Sequence, residues 1–496
     1  MDCTLHIGYH GITVFIQKDC ITEECIKDKG YCMQKYKKLL FNILVLGLGG
    51  VGQKILSFFL VPLYTSFLSA EDYGIVDLLI NSIQLFFPIL NLSIHDAMLS
   101  FALDKKNNPK EVCSIAAKYD AISIGIFLCG TLLMRGTGII RMSNSYIAFV
   151  CTLYVMNLWN LYFSVVAKIY NKMMLLAFSG FCNTLIYLIM NIFMLKYLFW
   201  GIDGYMIAYI SGVVFSTIIL MLGLFNENIL MKCNNKALSI QMRRFSTPLI
   251  LNQTAWWINN LLDRYMLTWL IGPRVNGIYA VAYKLPNLLS SCQWFVIQAW
   301  SISAIEEHDD VAITDYYSKV FSIYCFVLST IASVLILFNN MLSKILFKND
   351  FYEARLYTPI LILAFTYSGY SYFMGAIFSA EKESMGVMKS TMLGAGTNII
   401  LNAALIPTFS IYGAAIATMI SNLLMMLYRS VVLQRRNSIK INIFRNVLVN
   451  ILLIVQTVFC GQGKYYLQAS IVVVIIVFNR NLLHEVYLKG SSFLND

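Results

Sequence analysis

Three cations stand where cations are rare. Lys54, Arg264 and Lys284 each lie inside a long apolar stretch of the chain. An ionised group at the middle of a membrane helix costs about 2.5–3.5 kcal/mol on an insertion scale, so it usually faces a cavity or a partner. At a helical rise of 1.5 Å per residue, Arg264 and Lys284 share a depth of roughly 10–12 Å below the outer ends of their helices, and Lys54 lies about 18 Å down. Three cations at graded depth would suit a multiply charged anion. Each also has a structural explanation: Lys284 snorkelling outward, Arg264 paired with Asp263, and Lys54 satisfied by Gln53 or by helix ends.

Other side chains share those stretches. Asn252, Gln253, Asn259, Asn260, Gln293 and Gln298 place amides in two neighbouring spans. Amides are hard to leave in lipid, so these are expected to face a wet interior, where they could hydrogen-bond hydroxyl groups. Trp256, Trp257, Trp294 and Trp300 cluster in the same two spans; an aromatic face can stack on a sugar, and an interfacial belt explains such residues equally well. Asp77, Asp96 (beside His95) and Asp263 are the carboxylates available for ion coupling.

Several chemistries find no support. Gly47-Leu-Gly49-Gly-Val-Gly52 matches the dinucleotide fingerprint by letter, but it lies within an apolar helix with no preceding strand. Gly461-Gln-Gly463-Lys464 lacks the first glycine of a phosphate-binding loop. None of the twelve cysteines forms a Cys-x-x-Cys pair, so neither a zinc site nor a disulfide framework is indicated. No catalytic residue, metal or cofactor is expected, and no nucleic-acid partner.

The elements that must position these residues are helices. Between Leu39 and about Leu483 the chain reads as some fourteen apolar stretches, separated by short polar turns. Only helices and closed barrels satisfy the backbone within lipid, so stretches this long predict membrane-spanning helices. The approximate spans are 39–66, 75–101, 115–134, 146–167, 174–195, 203–225, 247–271, 276–300, 318–338, 357–380, 387–405, 411–433, 445–462 and 465–483. Composition agrees, at 58% hydrophobic, 13% charged and mean hydropathy +0.67. The net charge of +11 reports topology: about 23 Lys and Arg fall on the side of the N-terminal flank and about 8 on the other, which places both termini in the cytoplasm. Lys105, Lys106, Arg243, Arg244, Arg429 and Arg435 mark the inside loops.

The chain also repeats itself at an offset of about 200 to 210 residues. The turn ending in Gly74-Ile-Val recurs at Gly277-Ile-Tyr, Gly204-Tyr-Met-Ile-Ala208 recurs at Gly413-Ala-Ala-Ile-Ala417, and Lys172 and Asn191 match Lys382 and Asn402. The common order predicts a duplication of six helices, two halves of like orientation with a cavity between them, and two extra helices at the end. The expected divisions are 1–32, a disordered or mis-called extension; 33–225, the first half; 226–246, a cytoplasmic linker; 247–436, the second half; and 437–496, the two extra helices and tail.

At this point a resemblance becomes specific. Lys54-Ile-Leu-Ser-Phe-Phe-Leu-Val-Pro-Leu-Tyr-Thr65, with Leu68 to Asp77, resembles the start of the polysaccharide flippases, the Wzx-type (O-antigen) branch of the MOP exporter superfamily. Asn259-Asn-Leu-Leu-Asp-Arg-Tyr265 and Gly277-Ile-Tyr-Ala-Val-Ala-Tyr-Lys-Leu-Pro286 resemble the opening of that family's second half. The resemblance covers roughly 33–480. It implies an all-α integral membrane protein of the bacterial inner membrane that flips an undecaprenyl-pyrophosphate-linked oligosaccharide outward by alternating access, for surface polysaccharide such as lipopolysaccharide. Lys54, Arg264, Lys284, Asn259, Asn260 and Trp257 would contact that cargo, and Asp77, Asp96 and Asp263 would serve ion coupling. Membrane lipid, a polysaccharide polymerase and assembly proteins would be the partners. A MATE-like drug exporter or a lipid II flippase is the nearest alternative. A polymerase should show one large outer loop and a glycosyltransferase metal-binding carboxylates, and neither feature is present.

Overall fold

Backbone satisfaction in lipid leaves few choices, and every regular element among the described residues is helical. The computed structural model describes residues 53–478 apart from 55, 105, 139–141, 228, 230–234, 307–312 and 382. Residues 1–32, the glycine-rich run 47–52 and Lys105 therefore lie outside the described residues, as do the side chains of Asn252, Trp256 and Asn259.

The helices run in order: α1 Leu56–Phe67, then α2 Ala70–Leu90, α3 Ile94–Leu103, α4 Pro109–Gly136, α5 Asn144–Ile169, α6 Met173–Asn191 and α7 Gly201–Leu224. After them come α8 Lys236–Leu270, α9 Pro273–Ala282, α10 Lys284–Glu306, α11 Ile313–Leu346, α12 Thr358–Ala380, α13 Ser384–Phe409, α14 Ile411–Arg435, α15 Ile443–Gly461 and α16 Tyr465–Phe478. Each expected span overlaps one of these. Among the described residues, ten helices are long and apolar enough to cross a membrane by themselves, whereas α3 is shorter. Amides and cations dilute the hydropathy of α8 and α10. The protein is a multi-pass membrane protein.

Local chemistry sets the ends. Asn108 caps α4 by accepting from the Lys110 N–H, with Pro109 at the first helical position, where its missing N–H is no loss. Ser143 and Asn442 cap α5 and α15 in the same way. Two expected spans are interrupted. In the second, Leu92 and Ser93 take positive φ between α2 and α3; the Ser93 N–H is shared between the Pro88 carbonyl at 3.1 Å, five residues back, and Asn91 Oδ1 at 3.0 Å. In the eighth, Pro286 has no N–H to offer Ala282; the Thr358 hydroxyl, which donates to the Ala354 carbonyl at 2.9 Å, lies 3.3 Å from the Ala282 carbonyl.

The chain divides into two compact units. The first holds Ile75–Leu261 with the described part of α1, and the second holds Ser69–Gly74 with Leu262 onward. In the first unit α6 packs along α7, α5 along α7, and α3 between α4 and α5. In the second, α12 packs on α10 and α14, and α13 lies along α14. The last two helices dock on α11: Ser333 Oγ donates to Gln456 Oε1 at 2.7 Å, and Gln456 Nε2 donates back to the Ser333 carbonyl at 2.9 Å.

One contact of the second unit is built from repeat-related residues. A Cβ at Gly74 would run into the Pro273 carbonyl, and a Cβ at Gly277 into the Ala70 carbonyl. The start of α2 and the start of α9 thus meet backbone to backbone in a reciprocal pattern, with Asn276 Nδ2 donating to the Gly74 carbonyl at 2.9 Å. Only glycine permits that approach.

Candidate functional site

In the first unit, the break between α2 and α3 positions a buried histidine. Ser93 N–H fixes the Asn91 amide through Oδ1, which turns Asn91 Nδ2 toward His95 Nδ1 at 3.1 Å. By that hydrogen-bond pattern Nδ1 is the acceptor and the ring proton belongs on Nε2, which donates to Asp120 Oδ2 at 2.9 Å. Next to it, Asp96 Oδ2 accepts from Gln253 Nε2 at 2.7 Å. Asp96 Oδ1 and Asp120 Oδ1 are buried with no hydrogen-bond partner among the described residues. Two carboxylates, an imidazole and two amides are gathered within one unit, among described residues whose other buried groups are mainly apolar.

The first part of α8 continues this seam. Trp257 is buried and its indole N–H donates to the Asn81 carbonyl at 2.9 Å; Asn81 Nδ2 in turn donates to Asp77 Oδ2 at 3.1 Å. Gln253, Trp257 and Asn260 recur at four and three residues, one face of a helix. Lys54, itself helical and just before Leu56, is exposed, and Asn260 is half-buried.

In the second unit Asp263 is the centre. Its Oδ2 accepts from Tyr279 Oη at 2.6 Å and from Tyr283 Oη at 3.1 Å, and its Oδ1 from the Arg264 backbone N–H at 2.9 Å. Thr418 on α14 reaches the same Oδ2 at 3.5 Å, and Asn398 Nδ2 reaches Thr418 at 3.5 Å. The Arg264 guanidinium lies 5.2 Å from the centroid of the Tyr283 ring, and Lys284 Nζ lies 5.9 Å from that of Tyr73. Tyr283 therefore joins a buried carboxylate at its hydroxyl to a cation at its face. The two cations keep positive charge on aromatic platforms.

Some residues behave differently from expectation. Gln293 is buried and donates to the Phe365 carbonyl at 2.9 Å, so this amide joins α10 to α12 and does not meet a wet interior. Trp300 stacks on Phe373 at 4.2 Å and donates to its carbonyl, while Trp294 is exposed. Arg429, which its sequence position suggested for a loop, is buried in α14. It donates to Ser390 Oγ at 2.8 Å, the Ser371 carbonyl at 2.6 Å and Thr391 Oγ1 at 3.3 Å. Asp120, Tyr279 and Tyr283 escaped sequence reasoning as functional candidates, since their partners are fixed only by helix packing.

A family model described as polysaccharide biosynthesis protein matches residues 39–301, more than half of the chain. The chain belongs to that family. Among solved structures, this polysaccharide biosynthesis protein is similar to the lipid II flippase MurJ in an inward closed conformation. The TM-score is 0.67 at 13% identity, covering 89% of this chain and 100% of that one. It is also similar to a multidrug resistance MATE family transporter of the MOP superfamily. The inward-facing form gives a TM-score of 0.58 at 14% identity, covering 78% of this chain and 94% of that one. The outward-facing form gives 0.54 at 12%, covering 81% and 96%. At these identities the likeness is one of fold. No curated protein matches the chain.

Proposed function

We propose that the protein is a flippase that carries an undecaprenyl-pyrophosphate-linked oligosaccharide from the cytoplasmic to the outer leaflet by alternating access, in surface polysaccharide biosynthesis. Membership of the polysaccharide biosynthesis family and a MurJ- and MATE-like fold support this reading. The observation that carries it is the pair of intramembrane cations held on tyrosine rings, Arg264 on Tyr283 beside Asp263 and Lys284 on Tyr73. A pyrophosphate entering a low-dielectric site needs fixed positive charge, because the attraction grows as the dielectric falls. Lys54, in the first unit, is a further candidate for the anion. Asn259, Asn260 and Trp257 are assigned to the cargo path. Asp77, Asp96 and Asp263 are assigned to ion coupling, and Asp120 joins them through His95.

Charge substitution tests the docking. Lys54→Ala and Arg264→Ala should each lower export of lipid-linked cargo about tenfold or more, leaving cargo in the inner leaflet at unchanged protein abundance. Lys106→Ala, on an exposed loop between α3 and α4, is the control and should be silent. Lys54→Arg should keep partial activity if charge alone matters and lose it if compact geometry matters. Normal export by both alanine variants would sink the anion-docking mechanism. Feeding the same assay with lipid II separates the two polyprenyl-pyrophosphate readings: transport of lipid II in preference to an oligosaccharide carrier would favour the peptidoglycan alternative.

A further inference from the structure

The first unit encloses a second feature that the docking site does not absorb. A cavity of about 520 Å³ opens among Gln53, Ser57, α5, α6 and α7. That volume falls within the roughly 300–1,000 Å³ typical of small-molecule sites. Of its fifteen lining residues, eleven carry an amide or hydroxyl and none carries a charge. The composition is selective. An acyl chain would need an apolar wall, a cation would need carboxylates, and an anion would need Lys or Arg. A neutral polyhydroxylated ligand needs donors and acceptors in number, with an apolar face or two, and this wall supplies them.

The walls are built for the purpose. Asn157, Asn160 and Ser164 recur on one face of α5, and Asn183 and Tyr187 on one face of α6. Asn160 Nδ2 donates to Ser216 Oγ at 3.0 Å and to Thr217 Oγ1 at 3.1 Å. Both amide protons are thereby engaged, and the carbonyl oxygen is what Asn160 can offer a ligand O–H. Glycines let these amides in. A Cβ at Gly180 would strike Gln53 Nε2, and one at Gly212 would stand 2.7 Å from Asn183 Oδ1. Tyr187 and Tyr209 meet edge to face, centroids 5.2 Å apart. Such a pair presents a ring for the C–H face of a pyranose and hydroxyls for its rim.

The chain also places this cavity beside one candidate cation of the same unit. Lys54 stands between Gln53 and Ser57 in sequence, and both neighbours line the cavity. In a sugar pyrophosphate the first sugar is covalently bound to the phosphate, so a phosphate near Lys54 brings a sugar within reach of Gln53. We propose that this cavity is a saccharide subsite that receives neutral sugar residues of the cargo. The proposal rests on the flippase reading and extends it to a second set of contacts in the first unit.

The test separates the two. Full-length protein in lipid nanodiscs is titrated with two neutral probes, maltotriose and triacetylchitotriose, at millimolar concentration by saturation-transfer NMR, and separately with inorganic pyrophosphate. The wild type should bind at least one saccharide. Asn157→Leu with Asn183→Leu should weaken that binding about tenfold, the loss of a few net hydrogen bonds, and leave pyrophosphate binding unchanged. Tyr187→Leu is a second variant with an unrelated folding risk, and it should weaken saccharide binding as well. Retained pyrophosphate binding certifies the fold of each variant. Saccharide binding that ignores all three substitutions overturns the proposal, as does a wild type that binds neither saccharide. Cavity-dependent saccharide binding without any pyrophosphate binding would instead sink the anion-docking reading and leave the subsite standing.

Discussion

Arg429 shows how little a residue's address along the chain says about its role. It lies six residues from the end of α14, where a cation ordinarily reads as a loop marker, yet it is buried and bonded to neutral oxygens of α12 and α13. Its planar fork reaches three acceptors on two helices at once, which a lysine ammonium on a flexible stem cannot do. Ser390 and Thr391 also donate to the Val387 carbonyl, so both hydroxyls keep a bond when the guanidinium is removed. Arg429→Met, which removes the buried charge, should therefore cost less than Arg429→Lys, which keeps the charge and loses the fork. The expected difference is about 1–3 kcal/mol, read as a lower Tm for the lysine variant in detergent. A lysine variant as stable as the wild type would show that the fork geometry is immaterial. His95 makes the complementary point: Asn91 and Ser93 set its tautomer through bonds within five residues, but its meaning depends on Asp120, 25 residues away.

At the scale of elements, length and apolarity were legible and interruptions were not. Every expected span overlaps a helix, because a run of about 20 apolar residues has one stable conformation in lipid. The break at 91–93 goes with positive φ at Leu92 and Ser93 and a bond from the Ser93 N–H to Asn91 Oδ1, and the weakening before Lys284 with a proline that cannot donate to Ala282. Neither alters hydropathy. The sequence pairs Gly74 with Gly277 by their like surroundings, but that each glycine faces the other's helix start required the packed structure. That contact makes a sharp comparison. Gly125 lies exposed in α4, and a Cβ there meets nothing within 4 Å. Gly125→Ala should be neutral or stabilising by up to about 1 kcal/mol through helix propensity. Gly277→Ala gains the same propensity but must push back the Ala70 carbonyl, and should be destabilising by about 1–3 kcal/mol. Equal melting temperatures for the two variants would remove the close approach from the account.

Across the whole molecule the candidate site was readable in its residue types and unreadable in its pairings. Cations inside apolar stretches stand out in any sequence, so Lys54, Arg264 and Lys284 were visible at once. The tyrosines beneath Arg264 and Lys284 sit among 30 tyrosines and were not, because an aromatic residue is unremarkable in a membrane helix. Charge bias, by contrast, is a property of the sum and tolerates errors at single residues. Moving Arg429 from loop to core removes one of about 23 cations from the richer side and leaves the asymmetry intact. The topology it implies is that the α1–α2 turn is outside and the α3–α4 loop inside. Cysteines introduced at Glu71 and Lys106, both exposed, should then react with a membrane-impermeant maleimide from opposite faces. Glu71→Cys should label in intact cells and Lys106→Cys only after permeabilisation. The native cysteines Cys129 and Cys292 are exposed as well, so both variants belong in a background where these are serine. Labelling of both positions in intact cells would mean that the charge bias does not orient this protein, and the direction assigned to transport would then have to be reversed or abandoned.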